Sequence, residues 1–360
     1  MGGVVRVAIV SPWGIEGRGG IERIVKYLVN EFDHSYPKDI SWEVVPTRLT
    51  LAPFFKHFST IITITYFSLC CLMGRFDLVH VNVAPRGSTW RKMLFAAVAK
   101  RFGIPVVLHL HGSGYDEFYG TLSLRAQQRV RKFFRESERV VVLGAYWLDF
   151  AVSVLGVDSD KIVIIPNGAP EPQNIVAYRN NIPHLVTLGR VGKRKGTDVL
   201  LDALATLPSD IRWSATIAGD GEVETFAAYA AKRGLQDRVR FTGWLAEGQA
   251  LELLNTADIF VLPSRAENQP VAIIEAMARR LPVISTRIGA IPEQVENGVT
   301  GLLVEPGNPK ALSEALEILI SQPETRHSMG EAGRGTFETR FSIGKCAANF
   351  VREYQRALAS

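Results

Sequence analysis

The stretch "DIFVLPSRAENQPVAIIEAMARRLPVISTRIG", residues 258–289, contains two apolar runs separated by a longer helical pattern. The runs at 258–264 and 281–289 are nearly continuous in apolar residues, which is typical of strands buried on both faces. Between them, "VAIIEAMARR" has the spacing of a helix, and Pro270 has the fixed φ suited to its first turn. Strand, helix and strand in this order predict a parallel βαβ unit.

The rest of the chain repeats this alternation in two sets. We therefore predict an α/β protein made of two doubly wound, Rossmann-like domains that face each other across a cleft. Ligands of such sheets lie outside the carboxyl ends of the strands, so the cleft is the expected site. The β-branched apolar runs lie, in the first set, at 4–10, 76–83, 105–111, 139–144 and 161–168 and, in the second, at 184–190, 213–221, 239–244, 258–264, 281–289 and 300–307.

A polar segment separates the two sets. Residues 168–184, "GAPEPQNIVAYRNNIPH", have three prolines and three asparagines. They show the apolar periodicity of neither a helix nor a strand, so they are the predicted linker. A chain of 360 residues with 47% hydrophobic content also exceeds the usual size of a single core. The predicted domains are therefore 1–169 and 170–340.

Cysteine content and hydropathy exclude several classes of protein. The three cysteines form neither a disulfide framework nor a zinc-binding spacing, which favours a reducing, cytoplasmic environment and no metal site. The N-terminus lacks the pattern of a secretory signal. The longest apolar stretch, 61–73, is too short to span a membrane; we expect a buried element there, with an interfacial segment as the alternative.

The positive charge lies in the first half of the chain. Residues 1–169 hold 20 Lys and Arg against 14 Asp and Glu, whereas residues 170–360 hold 21 against 22. Basic clusters such as "RAQQRVRKFFRE" at 125–136 suit an anionic lipid surface or an acidic acceptor, and solvated helix faces are the alternative. Aromatic residues do not interleave these charges in the way that a groove for single-stranded nucleic acid requires, so we predict no nucleic-acid partner.

In the first half, candidate site residues follow two strands. The segment "GIEGRGGIER" at 14–23 does not fit the dinucleotide fingerprint G-x-G-x-x-G. Gly19 and Gly20 nevertheless allow a ligand to approach the backbone at a helix N-terminus, and a plain tight turn is the alternative. In "HLHG", His109 and His111 point to one face of a strand, and His111 is the better exposed of the two as a candidate.

In the second half, cations follow the strand at 184–190. The loop "GRVGKRKG" places Arg190 and Lys195 just before a helix, a combination of cations and glycine amides that suits a diphosphate. A solvated basic loop is the alternative. The next two strands end in "AGDGEV" and "FTGWL", where Gly219 and the segment around Trp244 leave room for a flat nucleobase.

Two glutamates eight positions apart, Glu267 and Glu275, surround the start of the helix in the opening stretch. The free amides of the first turn that Pro270 and Val271 open, such as that of Val271, can bind an anion, but carboxylates beside a diphosphate are repulsive unless they face hydroxyl groups. A ligand with an anionic middle and a sugar at each end satisfies both requirements. The sequence therefore predicts a nucleotide-sugar site.

These motifs, in this order, resemble the retaining GT-B glycosyltransferases of family 4 over nearly the whole chain. The resemblance rests on "GGIER", "FDLVHVN", "LHLHG", "KIVIIPNG", "LGRVGKRKG", "AGDG", "ADIFVLPS", "ENQPVAIIEAMA", "PVISTRIGAIPE" and "GLLVEPG".

The resemblance implies a role for each candidate residue. Glu267 corresponds to the glutamate that contacts the donor sugar and Glu275 to the one that contacts the ribose, and Asn268 and Gln269 stand near the β-phosphate in place of the more usual Gly-Phe. Arg190 and Lys195 match the family's loop cations, and His111 its acceptor-side histidine. A diphosphate stabilised by cations and helix amides needs no metal. The family's last helix, here at 341–360, packs back on the first domain.

The expected activity is transfer of a hexose, from GDP-mannose or a UDP-hexose, to a glycan or a polyprenyl-linked acceptor in surface polysaccharide or glycolipid synthesis. A sugar-nucleotide epimerase of the same fold and a non-catalytic nucleotide-sugar binder are the alternatives. We expect a cytoplasmic enzyme without cofactor, and a basic, aromatic first domain suits peripheral contact with the inner face of an anionic plasma membrane.

Overall fold

The computed structural model describes residues 4–15, 17, 19–49, 58–174 and 182–360. It divides into two compact units. Unit 1 comprises Met1–Gly168 and Ile343–Ser360, and unit 2 comprises Ala169–Ser342. Part of the predicted linker, residues 175–181, lies outside the described residues.

Unit 1 is built on a parallel sheet of six described strands. The sheet has the order β2-β1-β3-β4-β5-β6, so that Val7 of the central β1 pairs with Trp42 on one side and with Leu78 on the other. The strands are β1 (Val5–Ser11), β2 (Ile40–Pro46), β3 (Leu78–Val83), β4 (Val106–Leu110), β5 (Arg139–Val142) and β6 (Ile162–Ile164).

Helices cover both faces of this sheet, as the near-continuous apolar strands require. The aromatic core under α2 and α3 includes Phe67 and Phe95, whose ring centroids are 5.2 Å apart. The helices are α1 (Gly20–Ser35), α2 (Ser59–Leu72), α3 (Gly87–Arg101), α4 (Tyr115–Gly120), α5 (Leu124–Arg135), α6 (Ala145–Asp149), which continues as a π-helical turn (Phe150–Val154), a 3-10 turn (Ser159–Lys161) and, from the C-terminus, α14 (Ile343–Ala359).

The apolar stretch at 61–73 is only half buried, so the expectation of a buried element is wrong for one side of it. The stretch lies in α2, where Phe67 and Cys70 are buried, but Ile61, Leu69 and Leu72 are each more than half exposed. A helix that lies on a sheet buries only the side that faces it, whatever residues occupy the other side.

Helix α14 belongs to unit 1, although unit 2 precedes it in the chain. It packs against α1, β3 and β4. An ion pair joins it to β5, because Glu353 of α14 accepts a hydrogen bond from Arg139 at 2.5 Å (Oε2 to Nε), and both side chains are largely buried. Among the described residues, no helix is both long and apolar enough to cross a membrane.

Unit 2 repeats the architecture of unit 1. Its six described strands form a parallel sheet in the order β12-β11-β10-β7-β8-β9. The strands are β7 (His184–Leu188), β8 (Ser214–Ala218), β9 (Val239–Gly243), β10 (Ile259–Leu262), β11 (Val283–Thr286) and β12 (Gly301–Val304).

The helices of unit 2 pack on a core of aliphatic strand residues together with Trp213 and Phe226. The C-terminal residue of this unit, Ser342, forms a bridge with Ala169, where the unit begins. The helices are a 3-10 turn (Lys193–Lys195), α7 (Thr197–Ala205), α8 (Val223–Ala231), α9 (Glu247–Asn255), α10 (Val271–Ala278), α11 (Ile291–Gln294), α12 (Pro309–Ser321) and α13 (Pro323–Thr336), which continues as a π-helical turn (Phe337–Phe341).

Candidate functional site

The sheet of unit 2 winds in opposite directions from the pair β7 and β10. From β7 the chain passes to β8 and β9 on one side, and from β10 it passes to β11 and β12 on the other. The loops at 189–196 and 263–270 leave the carboxyl ends of β7 and β10, so they are neighbours in space; we call them the switch-point loops. Ligands of doubly wound sheets bind at such a point.

Lys195 and Glu267, one from each switch-point loop, form an ion pair of 2.5 Å between Nζ and Oε1. Their side chains are only 14% and 10% exposed, which makes the pair far less screened by solvent than a surface pair. Ser264 donates a hydrogen bond to the same carboxylate at 3.0 Å, and Arg194 Nη1 lies 3.8 Å from it. Two predicted site residues are thus brought together.

All of these contacts use Oε1 of Glu267. Its Oε2 takes no hydrogen bond or ion pair from the described part of the chain. A carboxylate has about four acceptor positions and a lysine ammonium has three donors, so both groups keep capacity for a ligand.

Arg265 fixes the two switch-point loops to each other. Its guanidinium binds Asp198 of α7 through two hydrogen bonds of 2.7 and 2.9 Å, and it also donates to the carbonyl of Lys193 at 2.6 Å. Partial burial acts to raise the pKa of Asp198, but the hydrogen bonds and charge of Arg265 outweigh it, so that this pKa is lowered. The ion pair of Lys195 and Glu267 is therefore supported by a second one behind it.

Close backbone contacts explain two of the glycines around the site. Gly196 has φ +71°, and a Cβ there would lie 1.9 Å from the carbonyl oxygen of Pro263, so the two loops touch through their backbones. Gly289 has φ +52°, and its Cβ would lie 2.4 Å from the carbonyl oxygen of Glu267. A side chain at either position would push the loops apart.

Arg190, in the same loop as Lys195, lies close to the loop that follows β8. Its side chain is 70% exposed, with Nη1 4.0 Å from Asp220 in the loop that follows β8. Gly219 precedes this aspartate and donates a backbone hydrogen bond to Gly243 at 2.8 Å, and Trp244, next to Gly243, is 48% exposed. Arg190, Gly219 and Trp244 thus occupy neighbouring strand ends on the β8 side of the switch point.

Helix α10 begins at the residue that the sequence predicts. Pro270 is its N-cap, with φ −68° and ψ 122°, and Val271 is the first helical residue. Proline fixes φ but not ψ, and here the chain is still extended at that residue. Glu275 lies on the inward face of α10 and is 1% exposed, so the predicted ribose contact stays a prediction.

Asn268 and Gln269 connect Glu267 to α10, and both are 5% exposed. The carbonyl of Asn268 accepts a hydrogen bond of 2.9 Å from the backbone of Ala290. The loop after β11 therefore packs directly on the segment that carries Glu267.

His111, the candidate in unit 1, follows β4 and is buried at 9% exposure. Its Nε2 lies 2.7 Å from Oδ1 of Asn82, whose Nδ2 in turn donates to the carbonyl of Val10 at 3.3 Å. Because the Asn82 amide donates on one side, its oxygen must accept from His111, which fixes the Nε2–H tautomer. Burial, together with the nearby charges of His80 and Lys92, lowers the pKa of His111 to about 3, so the ring is neutral near pH 7.

His111 is the last of three adjacent buried histidines. The ring centroids of His109 and His111 are 3.7 Å apart, and Nδ1 of His109 lies 3.3 Å from Nε2 of His80. His80 also hydrogen bonds to the hydroxyl of Tyr354 in α14 at 2.7 Å. Burial lowers the pKa of His80 to about 3 and that of His109 well below its usual range.

The glycine loop after β1 surrounds a buried glutamate, Glu22, in the first turn of α1. A Cβ at Gly19 would lie 2.5 Å from Oε2 of Glu22, and one at Gly17 would lie 2.3 Å from its Cγ. Gly20 has open space around it. The loop positions Glu16 and Arg18 lie outside the described residues.

Sequence reasoning missed several residues that build these sites: Ser264, Asp198, Arg265, Asn82 and Glu22. Ser264 and Arg265 stand within the quoted stretch, so a polar pair directly after a strand was the signal available. Among the described residues, no group of three or more His, Cys, Asp and Glu could hold a metal ion.

Comparison with known proteins covers nearly the whole chain. The profile described as glycosyl transferases group 1 matches residues 173–336, and a glycosyl transferase 4-like domain matches residues 19–168. An uncharacterized glycosyltransferase of Methanocaldococcus jannaschii is 28% identical over 285 residues, which are 78% of this chain and 75% of that protein.

Solved structures share the fold at lower identity. Sucrose-phosphate synthase from Thermosynechococcus elongatus superimposes with a TM-score of 0.79 at 20% identity, over 99% of each chain. The Anabaena protein HepE, solved in complex with UDP and glucose, has a TM-score of 0.74 at 19% identity, over 98% of this chain and 99% of its own.

Proposed function

The chain belongs to the glycosyl transferases of group 1 and has the two-domain GT-B fold, and from this premise we propose the details of its reaction. The proposed reaction moves a hexose from a nucleotide-diphosphate sugar to a glycan or lipid-linked acceptor, with retention of the anomeric configuration. The observation that carries it is the ion pair of Lys195 and Glu267 at the switch point of unit 2.

Lys195 and Arg190 are the proposed ligands of the donor diphosphate. The bond to Glu267 uses one of the three ammonium donors of Lys195, which leaves two for phosphate oxygens. Arg190 is largely exposed and can bind the same group through two guanidinium donors. The first amides of α10, at Val271, add the positive end of a helix dipole.

These cations act mainly in the transition state. Negative charge grows on the diphosphate as the bond to the sugar breaks, and donors held in place before the reaction stabilise that charge. We propose that they do so without a divalent metal, so activity should survive EDTA.

Glu267 is proposed to orient the sugar. Its Oε1 is held by Lys195 and Ser264, which leaves Oε2 to accept from a sugar hydroxyl. As the family resemblance implies, Glu275 would contact the ribose. Asn268 and Gln269 would contact the β-phosphate and the sugar. Gly219 and Trp244 would receive the base. The HepE complex with UDP and glucose supports a UDP-hexose as donor, and GDP-mannose is the other candidate.

His111 is the proposed acceptor-side residue of unit 1. Because Asn82 fixes its tautomer and burial keeps it neutral, it would act as a hydrogen-bonding group and not as a cation. A donor phosphate oxygen would take the proton of the acceptor hydroxyl, as the resemblance implies, so His111 need not act as a base.

The decisive experiment compares Lys195→Met with Lys193→Met. Both remove a lysine from one loop, but Lys193 is exposed and contributes only its backbone carbonyl to the site. With UDP-glucose or GDP-mannose and a panel of acceptors, Lys195→Met should lower kcat about 100-fold, on the order of 3 kcal/mol, and Lys193→Met should not. Equal activity of the two variants would remove Lys195 from the mechanism.

The same assay separates the alternatives. Proton NMR of the product should show the anomeric configuration of the donor. Formation of an epimer from the donor alone would instead indicate an epimerase. Binding of the donor without turnover of any acceptor in the panel would indicate a binding protein.

Peripheral contact with the inner face of an anionic membrane is also part of the proposal. Helix α2 exposes one apolar side, and α5 exposes basic side chains such as Arg125 and Lys132. Apolar and basic surfaces together favour binding to anionic lipid. Of the aromatic residues in the stretch 53–67 that are predicted to assist, Phe58 and Tyr66 are exposed and Phe67 is buried. Residues 53–57 lie outside the described residues.

A further inference from the structure

The sheet of unit 1 has its own switch point, between β1 and β3. From β1 the chain passes to β2 on one side, and from β3 it passes to β4, β5 and β6 on the other. Helices α1 and α3 begin at the carboxyl ends of these two strands. The corresponding point of unit 2 holds the proposed donor site, whereas the proposed function gives no role to the residues that begin α3.

Lys92, in the second turn of α3, is fully buried and its ammonium has no hydrogen-bond partner in the described part of the chain. Burial, assisted by the charge of Arg91, lowers its pKa to about 7. A buried ammonium without a partner is costly, and proteins keep such groups mainly where they have a function.

Two more buried groups at the start of α3 have no hydrogen-bond partner among the described residues. The Ser88 hydroxyl and Nε of Arg91 are buried atoms that form no hydrogen bond with any described residue. The guanidinium of Arg91 lies over the N-terminus of the helix, since a Cβ on Gly87 would be 3.2 Å from its Nη1. Burial, and next the charge of Arg48, lower the pKa of Arg91.

The three cations form a gradient of burial from the surface inward. Arg48 is exposed, and its Cζ lies 5.4 Å from the ring centroid of Trp13. Arg91 is half buried, and Lys92 is buried. We call Arg48, Ser88, Arg91 and Lys92 the α3 cation cluster.

Among the described residues, Glu22 is the acidic group whose charge acts on Lys92. Burial raises the pKa of Glu22, against the lowering effect of backbone hydrogen bonds and of Lys92, and its Oε1 is buried without a hydrogen bond to the described residues. Glu22 alone does not neutralise three cations, so the described residues of the cluster carry an excess of positive charge.

We propose that the α3 cation cluster binds the phosphate of a phosphorylated acceptor. Arginine grips phosphate oxygens through two donors, lysine supplies a compact charge, and the N-terminus of the fifteen-residue α3 adds amides to the same place. A phosphate carries enough negative charge to balance the cluster, which a single carboxylate does not.

The cluster lies beside the proposed acceptor-side residue. The charge of Lys92 acts on His111, so the two side chains are close. That the phosphate belongs to an acceptor rests on the proposed function, whereas phosphate binding by the α3 cation cluster does not. The phosphate can belong to a soluble sugar or polyol phosphate or to the diphosphate of a membrane lipid.

Phosphate binding can be measured without any transfer reaction. Calorimetric titration with inorganic phosphate is made in a Lys195→Gln background, which weakens the proposed donor site of unit 2. Adding Arg91→Gln or Lys92→Met should weaken binding at least about tenfold, which is about 1.4 kcal/mol. The matched control Arg129→Gln removes an exposed arginine of α5 in the same unit and should leave affinity unchanged.

Lys92→Met has a second readout that separates binding from structure. If the ammonium serves a ligand, its removal should preserve or raise the melting temperature of the unliganded protein. A large loss of stability in Lys92→Met, with unchanged phosphate affinity in Arg91→Gln, would instead show a structural pair with Glu22 and overturn the proposal.

A second experiment distinguishes a soluble phosphate ester from a lipid diphosphate as the ligand. Glycerol phosphate is titrated as a soluble probe, and phosphatidylcholine vesicles with and without polyprenyl diphosphate are floated with the protein. Binding of either probe that Arg91→Gln abolishes supports the site and names the source. Failure of both probes and of inorganic phosphate would overturn it. Phosphate binding in a protein that transfers no sugar would leave this site standing and remove the proposed function alone.

Discussion

The three buried histidines of unit 1 should make its stability depend on pH. Burial lowers the pKa of His80 and that of His111 to about 3, against 6.5 for an ordinary histidine, and lowers the pKa of His109 as well. Between pH 6.5 and about 3, these histidines are protonated in the unfolded chain but neutral in the folded one. The free energy of unfolding therefore decreases as the pH falls from about 6.5 towards 3. Each histidine contributes a slope on the order of 1.4 kcal/mol per pH unit.

Urea unfolding followed from about pH 7 to about pH 4.5 measures this slope. His80→Gln, which keeps a hydrogen-bonding group beside Tyr354, should make the slope shallower by about one histidine. The matched control is His34→Gln, at an exposed position of α1. An identical slope in the wild type and in His80→Gln would contradict the assignment of His80 as a buried neutral ring.

At the residue scale, the sequence predicted the groups that follow strands but not their partners. Lys195 and Glu267 could be predicted because each stands a few residues beyond an apolar run. The bond from His111 to Asn82 joins positions 29 residues apart, and nothing local in the sequence marks it. Lys92 lies within a helical pattern of mixed polarity, where a solvated position is the natural expectation.

At the scale of elements, backbone contact between the switch-point loops should be essential to the site. Gly196 and Gly234 both have φ +71°. A Cβ at Gly196 would lie 1.9 Å from the carbonyl oxygen of Pro263, whereas a Cβ at Gly234 would have no atom of the described residues within 4 Å. Alanine at either position adds about 1–2 kcal/mol of left-handed strain. Gly196→Ala should cost about 1–3 kcal/mol more, since the loops must separate, and it should also lower kcat.

Thermal unfolding and donor turnover of the two variants test this. Gly234→Ala controls for the strain alone, because its surroundings are open. Equal losses of stability in both variants, or full activity in Gly196→Ala, would show that the loops can move apart without effect.

The fold could be predicted in outline because buried parallel strands are continuous apolar runs. All eleven predicted runs contain strands, and the missed one is β2, at Ile40–Pro46. It is an edge strand, partly exposed over most of its length, so its sequence "ISWEVVP" mixes polar and apolar residues. The exposed side of α2 could not be foreseen either, since a uniformly apolar helix does not mark which side faces the sheet.

The exposed side of α2 should contribute to membrane binding. Replacing Ile62 and Leu69, both at least half exposed, with Gln removes apolar area without opening a cavity. Binding to vesicles of anionic lipid at low salt should weaken at least about tenfold, since each inserted side chain contributes on the order of 1 kcal/mol. Ile318→Gln, at an exposed apolar position of α12, is the control.

Flotation measures the bound fraction, and the melting temperature of the variant should equal that of the wild type. A wild-type protein that stays wholly in the aqueous fraction would remove the membrane proposal. Equal binding of the double variant would remove α2 from it.

At the scale of the whole molecule, the chain completes unit 1 only with its last helix. Alternating strands and helices predict two sheets, but the contact of α14 with β5 joins positions 214 residues apart. The family resemblance, and not periodicity, predicted where that helix packs. Unit 1 thus depends on residues that follow the whole of unit 2 in sequence.

The buried ion pair between Glu353 and Arg139 should therefore stabilise unit 1 selectively. Their side chains are 3% and 13% exposed, and Glu353 also binds Arg356 at 2.8 Å. Glu353→Gln leaves Arg139 without its counter-charge, which should cost about 3–5 kcal/mol. Glu136→Gln breaks an exposed pair with Lys132 in the same unit and should cost less than about 1 kcal/mol.

Hydrogen exchange followed by mass spectrometry locates the effect. In Glu353→Gln, peptides from β3, β4 and α1 should lose protection, because α14 packs on these elements. Peptides from β7 and β10 should keep theirs, since α14 belongs to unit 1. Equal loss in both units would mean that they unfold as one cooperative body, in which case the ion pair stabilises the entire chain.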